Sequence, residues 1–256
     1  TWNLLTETND QAPSWPTRIS AAAAYLGSLA PAVVGTQEAW TAMLDALVAG
    51  LPGYRWLGEG RRGRGRDERS AIVYDGQALT VLDVRNRWLS ATPEVPGSAA
   101  PDADLPRLLT AARFHHAASG AVFTVVNTHL DHPGSRARLD GAVQVAANVG
   151  PGSTIVLGDF NATVGSEPYG ALTGAGLVDA LAPRDRAEQR LTTFTGLPGL
   201  GPRETGEGEQ IDWVMVTPDV EVVDARVAEP PGPPYPSDHR PVVADLRIPQ
   251  AAANQR

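Results

Sequence analysis

The sequence predicts an α/β (α+β) fold in which mixed β-sheets are covered by helices. Three observations predict it. Apolar runs of strand length recur along the 256 residues. Helical stretches separate some of them, and hairpin-type turns join others. A purely parallel, doubly wound sheet would lack those hairpins. No internal repeat and no Gly-, Pro- or Ser-rich linker divides the chain, so one domain over residues 1–256 is expected.

In chain order, Thr1-Trp-Asn-Leu4 reads as the middle of a strand, which suggests that a segment precedes it. Ser14-Trp-Pro16 starts a helix that runs through Ile19 to Leu26, with Ser14 as cap and Pro16 in the first turn, and Pro31 ends that region. Ala32-Val-Val34 is a short strand leading to Gly35-Thr-Gln-Glu38. Thr41 to Ala49 forms a helix closed by Gly50. Ser70 to Tyr74 and Leu79 to Leu89 are strands, and residues 90–107 form a Pro-rich loop. Leu108 to His116 and Ala121 to Thr128 pair as a hairpin across Ser119-Gly120. A helix over Arg136 to Asn148 precedes the buried strand of Thr154-Ile-Val-Leu157. Ile211 to Val216, Val220 to Val227 and Val242 to Ile248 complete the β-rich segments.

Composition removes several function classes. Hydrophobic residues make up 42%, enough for a sizeable core. Cysteine is absent, which excludes disulfides, zinc–thiolate sites and thiol nucleophiles. No apolar run is long enough to span a bilayer and no signal peptide is visible, so a soluble protein, cytoplasmic or secreted, is expected. A monomer is expected. The net charge of −8 argues against a broad nucleic-acid footprint, although Arg61-Arg-Gly-Arg-Gly-Arg66-Asp-Glu-Arg69 forms a local basic segment.

The informative pattern is positional. Apolar runs repeatedly end in a residue that can bind a metal or a phosphate: Asn3, Glu38, His129, the Asp159/Asn161 pair, Asp212 and Asp238-His239. Strand ends can bring such side chains to one rim. The set is carboxylate, amide and imidazole, which suits a hard cation such as Mg²⁺ or Mn²⁺ and leaves histidines free for acid, base or phosphate-donor roles. Asp159 and Asn161, two apart, are expected on one face of extended chain, with Phe160 anchored oppositely in the core.

Seven blocks in order carry a family resemblance: Thr1-Trp-Asn-Leu4, Gly35-Thr-Gln-Glu38, Glu68 to Tyr74, Asn127-Thr-His-Leu-Asp-His132, Gly158-Asp-Phe-Asn161, Ile211-Asp-Trp-Val214 and Ser237-Asp-His-Arg-Pro-Val242. On these the sequence resembles the endonuclease/exonuclease/phosphatase (DNase I-like) superfamily. Trp88 to Ser98 and Leu105-Pro-Arg-Leu-Leu-Thr110 resemble a bacterial subgroup. The resemblance implies a four-layered sandwich of two mixed, mostly antiparallel sheets flanked by helices, and metal-dependent hydrolysis of a phosphoester. It also implies roles. Glu38, helped by Asn3 and Asp238, holds the metal. Asp159 and Asn161 hold the water and a phosphoryl oxygen, and Asp212 polarises His239. His129 contacts the phosphate or serves the leaving group, and Glu68 orients it. Pro31-Ala32 departs from the family's frequent Pro-Asp at a position outside the first set of ligands.

Each residue also has an ordinary reading. Glu38 could be a first-turn acid favoured by a helix dipole, and Glu68 a solvated loop residue. Asp131 and His132 would shape their loop, while Asp179, Asp185, Asp219 and Asp224 read as solvated acids. His115 and His116 read as surface residues, and the tryptophans at 15, 40, 56 and 88 as packing. Arg62, Arg64 and Arg66 are either a solvated loop or a phosphate-binding flap. The expected activity is a Mg²⁺-dependent phosphoesterase acting on a small phosphate mono- or diester. A nuclease is the alternative, and a non-catalytic binding module is disfavoured by the complete motif set.

Overall fold

Period-two alternation along the strands sorts the apolar residues into three core layers. The structure, a computed structural model, describes residues 1–63, 65, 67–182, 192–196, 209–230 and 232–250. The elements are β1 (Trp2–Asn3), α1 (Trp15–Leu29), β2 (Val33–Ala39), α2 (Thr41–Ala49), β3 (Tyr54–Leu57), β4 (Arg69–Asp75), β5 (Leu79–Trp88), β6 (Leu108–His116), β7 (Val122–His129), α3 (Ser135–Ala147), β8 (Thr154–Asp159), α4 (Glu167–Gly174), β9 (Val178–Asp179), β10 (Asp212–Val216), β11 (Glu221–Val227) and β12 (Val242–Arg247). One sheet has the order β1-β2-β4-β3, the other β5-β6-β7-β8-β10-β9, and β11-β12 form a ribbon. Both larger sheets are mixed: β1–β2 and β7–β8 are parallel, while the other pairs are antiparallel. The ribbon joins the first sheet through reciprocal main-chain bonds between Thr1 and Val242.

In β4, Ile72 and Tyr74 enter the layer between the sheets, while Ala71 and Val73 face α1 and α2. In β10, Val214 and Val216 enter the same inter-sheet layer, while Trp213 and Met215 pack with α3 and α4. The result is the expected order of helices, sheet, sheet, helices. At the seam the sheets approach closely: a Cβ on Gly35 would stand 1.8 Å from Leu157 Cδ1. Asn127 bridges the sheets there, donating to the carbonyls of Thr36 (3.0 Å) and Ala71 (2.7 Å) and accepting from Gln37 Nε2 (2.7 Å).

Several local expectations change. Ser14 occupies the N-cap of α1, but its hydroxyl meets Thr17 Oγ1 instead of a main-chain N–H. Gly50 closes α2 in a right-handed conformation, so it is no left-handed cap; its missing Cβ avoids Ala23, which would lie 2.8 Å away. β3, α4 and β9 are additional to the elements read from sequence. Asp179 is buried, not solvated, and accepts from Leu181 N–H and Tyr169 Oη. His115 and His116 are half-buried, the latter meeting Ser119 Oγ. Asp185 lies outside the described residues.

Candidate active site

The polar strand ends converge at one end of the inter-sheet layer. Asp159 pairs with His129 on β7 and with Asp212 on β10. These three continue the faces that carry Val125, Leu157 and Val214, so they point into the gap between the sheets. Asn3 reaches the same place from β1, beside β2.

Two residues are aimed by left-handed backbone. Glu38 (φ 62) sits where the register of β2 shifts between Thr36 and Ala39. Such an irregularity re-aims a side chain at a site, and a non-glycine residue with positive φ carries strain. Asn161 (φ 47) lies beyond the end of β8. It therefore does not reach the site by simple alternation with Asp159. Its N–H donates to Asp159 Oδ1 (3.0 Å), and the turn brings its side chain to Leu130 O (2.9 Å) and His129 Nε2 (3.0 Å). Phe160 takes the expected opposite direction, fully buried and stacked on Trp213 at 4.4 Å. That burial contributes about 1.5–3 kcal/mol to holding the turn. Gly158 is required by close approach, since a Cβ there would stand 2.2 Å from Thr128 O.

The contacts form a connected network. Asn3 Nδ2 donates to Glu38 Oε1 (2.9 Å) and Asp159 Oδ2 (3.0 Å), and Thr6 N–H donates to Glu38 Oε2 (2.8 Å). His239 Nδ1 lies 2.8 Å from Asp212 Oδ2, while His239 Nε2 faces Asp159 Oδ2 at 3.8 Å. Ser237 secures this loop by donating to Asn3 O (2.6 Å). Phe194 packs its ring 5.0 Å from that of His239.

Burial and charge set the protonation states. Burial, then the Asp212 carboxylate, pushes Asp159 up to about 7. Burial opposes the charged form of His239, but the Asp212 carboxylate and its hydrogen bond overcome it and raise the imidazole to about 10. Burial, followed by the Arg107 guanidinium, holds His129 well below its ordinary value, so this imidazole is neutral. Burial raises Asp238; the His239 charge opposes this, and the Glu38 charge adds to it.

A cavity of about 420 Å³ receives Glu38, His129, Asp159, Asn161, Asp238 and His239. The repulsion between Glu38 and Asp238, both oxygen donors facing this space, is what a hard divalent cation would relieve. Donor atoms of Asp159, Asp212 and His239 also lie within 4.8 Å of one another. Their closeness is accounted for by the Asp212–His239 bond, which occupies Nδ1. Glu38 and Asp238, with Asn3 alongside, are the better-fitting set.

Glu68 enters the cavity, but its carboxylate is held by Arg61 Nη1 at 2.6 Å. Among the described residues, no hydrogen bond joins it to His129, because His129 is taken up by Asn161 and Asp159. Arg62 is exposed, and its main-chain N–H donates to Asp67. Arg64 and Arg66 lie outside the described residues. Among the described residues, the guanidinium groups lining the cavity are those of Arg61 and Arg107. The sequence placed Arg61 in the basic segment 61–69, read as a solvated loop or a phosphate-binding flap, but gave no role to Arg107 or Phe194. A signal for Arg107 was its place just before β6: Leu109 pairs with Thr128, so Arg107 and His129 emerge at the same end. Arg18, also missed, is fully buried and donates to the carbonyls of Leu4, Thr6, Pro13 and Pro236, tying together the segments behind Glu38 and Asp238.

A family model described as the Endonuclease/Exonuclease/phosphatase family matches residues 1–239. Among solved structures, an endonuclease/exonuclease/phosphatase from Bacteroides vulgatus is 29% identical, with a TM-score of 0.83, covering 96% of this chain and 97% of that one. A mannosyl-6-phosphatase from Bacteroides thetaiotaomicron is 28% identical, with a TM-score of 0.85 and coverage of 96% and 98%. A functionally unknown conserved protein from Enterococcus faecalis is 27% identical, with a TM-score of 0.82 and coverage of 96% and 98%. No curated protein matches the chain.

Proposed function

The chain belongs to the endonuclease/exonuclease/phosphatase family, and from that premise we propose that it is a divalent-metal-dependent phosphoesterase acting on a small organic phosphate. The observation that carries this reading is the buried Asp212–His239 bond beside Asp159, in a cavity that also receives Glu38 and Asp238. The cavity suits a ligand of small-molecule size. The likeness to a mannosyl-6-phosphatase supports a small phosphorylated substrate over a polymer.

Glu38 and Asp238, with Asn3, would hold Mg²⁺ or Mn²⁺, which supplies charge neutralisation on a phosphoryl oxygen and stabilises the leaving oxygen. The remaining work falls to the chain. Asp159, held near 7, is placed to take the proton of the attacking water, while His239, protonated at neutral pH, is a hydrogen-bond donor beside it. Asp212 keeps the His239 ring oriented, as a buried carboxylate does in an Asp–His pair. Asn161 and His129 border the cavity beside Asp159, and Asn161 would donate to the phosphoryl group in exchange for its contact with His129 as negative charge develops there. Glu68 is a positioning residue, acting through Arg61.

A panel of sugar phosphates, nucleotides, phospholipid headgroups, bis-p-nitrophenyl phosphate and plasmid DNA tests the reading. Chelator is expected to abolish turnover of a small ester and Mg²⁺ or Mn²⁺ to restore it. Turnover indifferent to chelator would overturn the metal assignment. The arginine-rich segment 61–69, of which Arg61 and Glu68 line the cavity, motivates a nuclease reading, and rapid plasmid nicking without small-ester turnover would establish it instead.

A further inference from the structure

Resting on the phosphoesterase reading above, we infer that Arg107 makes the enzyme selective for phosphomonoesters over diesters, by holding terminal phosphoryl oxygens through its guanidinium fork. Arg107 is 8% exposed and lines the cavity. Its Nε–H donates to Asp131 Oδ1 at 3.3 Å. Among the described residues, no hydrogen bond engages its two terminal nitrogens. A guanidinium buried to that degree normally spends its donors on protein acceptors, as Arg18 does on four carbonyls. Arg61 differs too, since its Nη1 is committed to Glu68 at 2.6 Å.

The Arg107 side chain is held from behind. Asp131 is 1% exposed and also accepts from the N–H groups of Gly134 (2.9 Å) and Asp104 (3.2 Å). That carboxylate therefore pins Nε and leaves the planar pair of terminal nitrogens for an incoming acceptor. Two parallel N–H donors match two oxygens on one phosphorus. Arg107 stands on the His129 side of the site, where its charge depresses that imidazole.

Counting acceptors decides the substrate class. A diester has two non-bridging oxygens, and a monoester has three. The carboxylate side of the cavity would hold the cation, which would neutralise one. The Asn161 and His129 side engages another. The Arg107 fork spans the third oxygen and shares one of the other two, so a diester, whose third position is a neutral ester oxygen, leaves one arm of the fork without a charged acceptor.

The test compares p-nitrophenyl phosphate with bis-p-nitrophenyl phosphate, which share a leaving group, in the Mg²⁺-loaded protein. The native chain is expected to favour the monoester. Arg107→Met should lower monoester kcat/KM by on the order of 100-fold, the size of two charge-assisted hydrogen bonds. Diester turnover should fall by a smaller factor, so the monoester/diester ratio drops about 10-fold or more. Arg107→Lys should restore only part of it, because an ammonium lacks the fork. Removing Arg107 leaves Asp131 without its cation, so Arg107→Met combined with Asp131→Asn guards against a misfolded single variant and should show the same change in ratio. Equal losses on both esters, or a native preference for the diester, would overturn the assignment of Arg107 alone. A native chain inert on both esters under Mg²⁺ and Mn²⁺ would overturn the phosphoesterase reading and this inference with it.

Discussion

Strand β2 borders two cavities of nearly equal size, about 420 Å³ at its Glu38 end and about 390 Å³ at its Val33 end. The same strands contribute to both. β2, β7, β8 and β10 supply Val33, Phe123, Ile155 and Val214 to one, and Glu38, His129 and Asp159 to the other, with Asp212 behind His239. The cavity at Val33 presents mostly aliphatic and aromatic surface, with Arg226 and Asp245 among its lining residues. The cavity at Glu38 gathers carboxylates, imidazoles and guanidiniums, with protonation shifted in opposite directions at Asp159, His239 and His129. Volume therefore does not distinguish a reactive site in this fold. Convergence of polar strand ends does, because buried charges persist only where partners or a ligand offset their desolvation.

The sharpest way to break this contrast is at His239. His239→Ala should lower turnover by about 10³-fold, within the range of acid–base catalysis, and should also lower the thermal midpoint, because Asp212 is left buried without its partner. Retained full activity would remove the polar cavity from the chemistry. Gly158→Ala tests the seam that carries Asp159. Its Cβ would meet the Thr128 carbonyl at 2.2 Å, a main-chain atom that cannot step aside. A loss of about 1–3 kcal/mol in denaturant unfolding is expected, accompanied by a fall in kcat.

Asp131 gives a smaller, pH-dependent effect. Although burial opposes its charge, the N–H groups of Gly134 and Asp104 and the Arg107 guanidinium hold its carboxyl below the usual range. A depressed folded-state value means that the contribution is complete above the unfolded-state value and is lost as pH falls through the folded one. The stability gap between native protein and Asp131→Asn should thus be full at neutral pH and close progressively below about pH 4. A gap that stays constant down to acid pH would remove the charged role. The smallest effect belongs to the apolar cavity. Val33→Ile there should change stability by no more than about 0.5–1.5 kcal/mol and leave kcat unchanged. A large kcat effect would join the two cavities functionally.

Most elements were legible because their signals are local. Alternating apolar strands, the Pro-started helix α1 and the Ser119-Gly120 hairpin each depend on a few adjacent residues. β3, α4 and β9 were not. β3 has four residues and β9 two, and α4 carries Pro168, Gly170 and Gly174, residues with weak helix preference. Within the site, the motif-bearing residues were legible as strand ends. Glu68 lines the cavity, and its carboxylate meets Arg61 where His129 was expected, a pairing that depends on how Arg61 folds back across seven residues. Asn161 was matched to Asp159 by alternation, whereas a left-handed turn does the work.

By itself the sequence determined the strand pattern, the oxygen- and imidazole-rich donor set, and the absence of thiol chemistry, because residue identity and short-range periodicity carry those properties. Tertiary structure alone decided which guanidiniums face the cavity, that Arg107 keeps its fork free while Arg18 spends its donors, and that Asp212 and His239, 27 positions apart, share one hydrogen bond. The physical reason is that burial, charge pairing and hydrogen-bond satisfaction are properties of neighbours in space. In a two-sheet sandwich, those neighbours come from strands far apart in the chain.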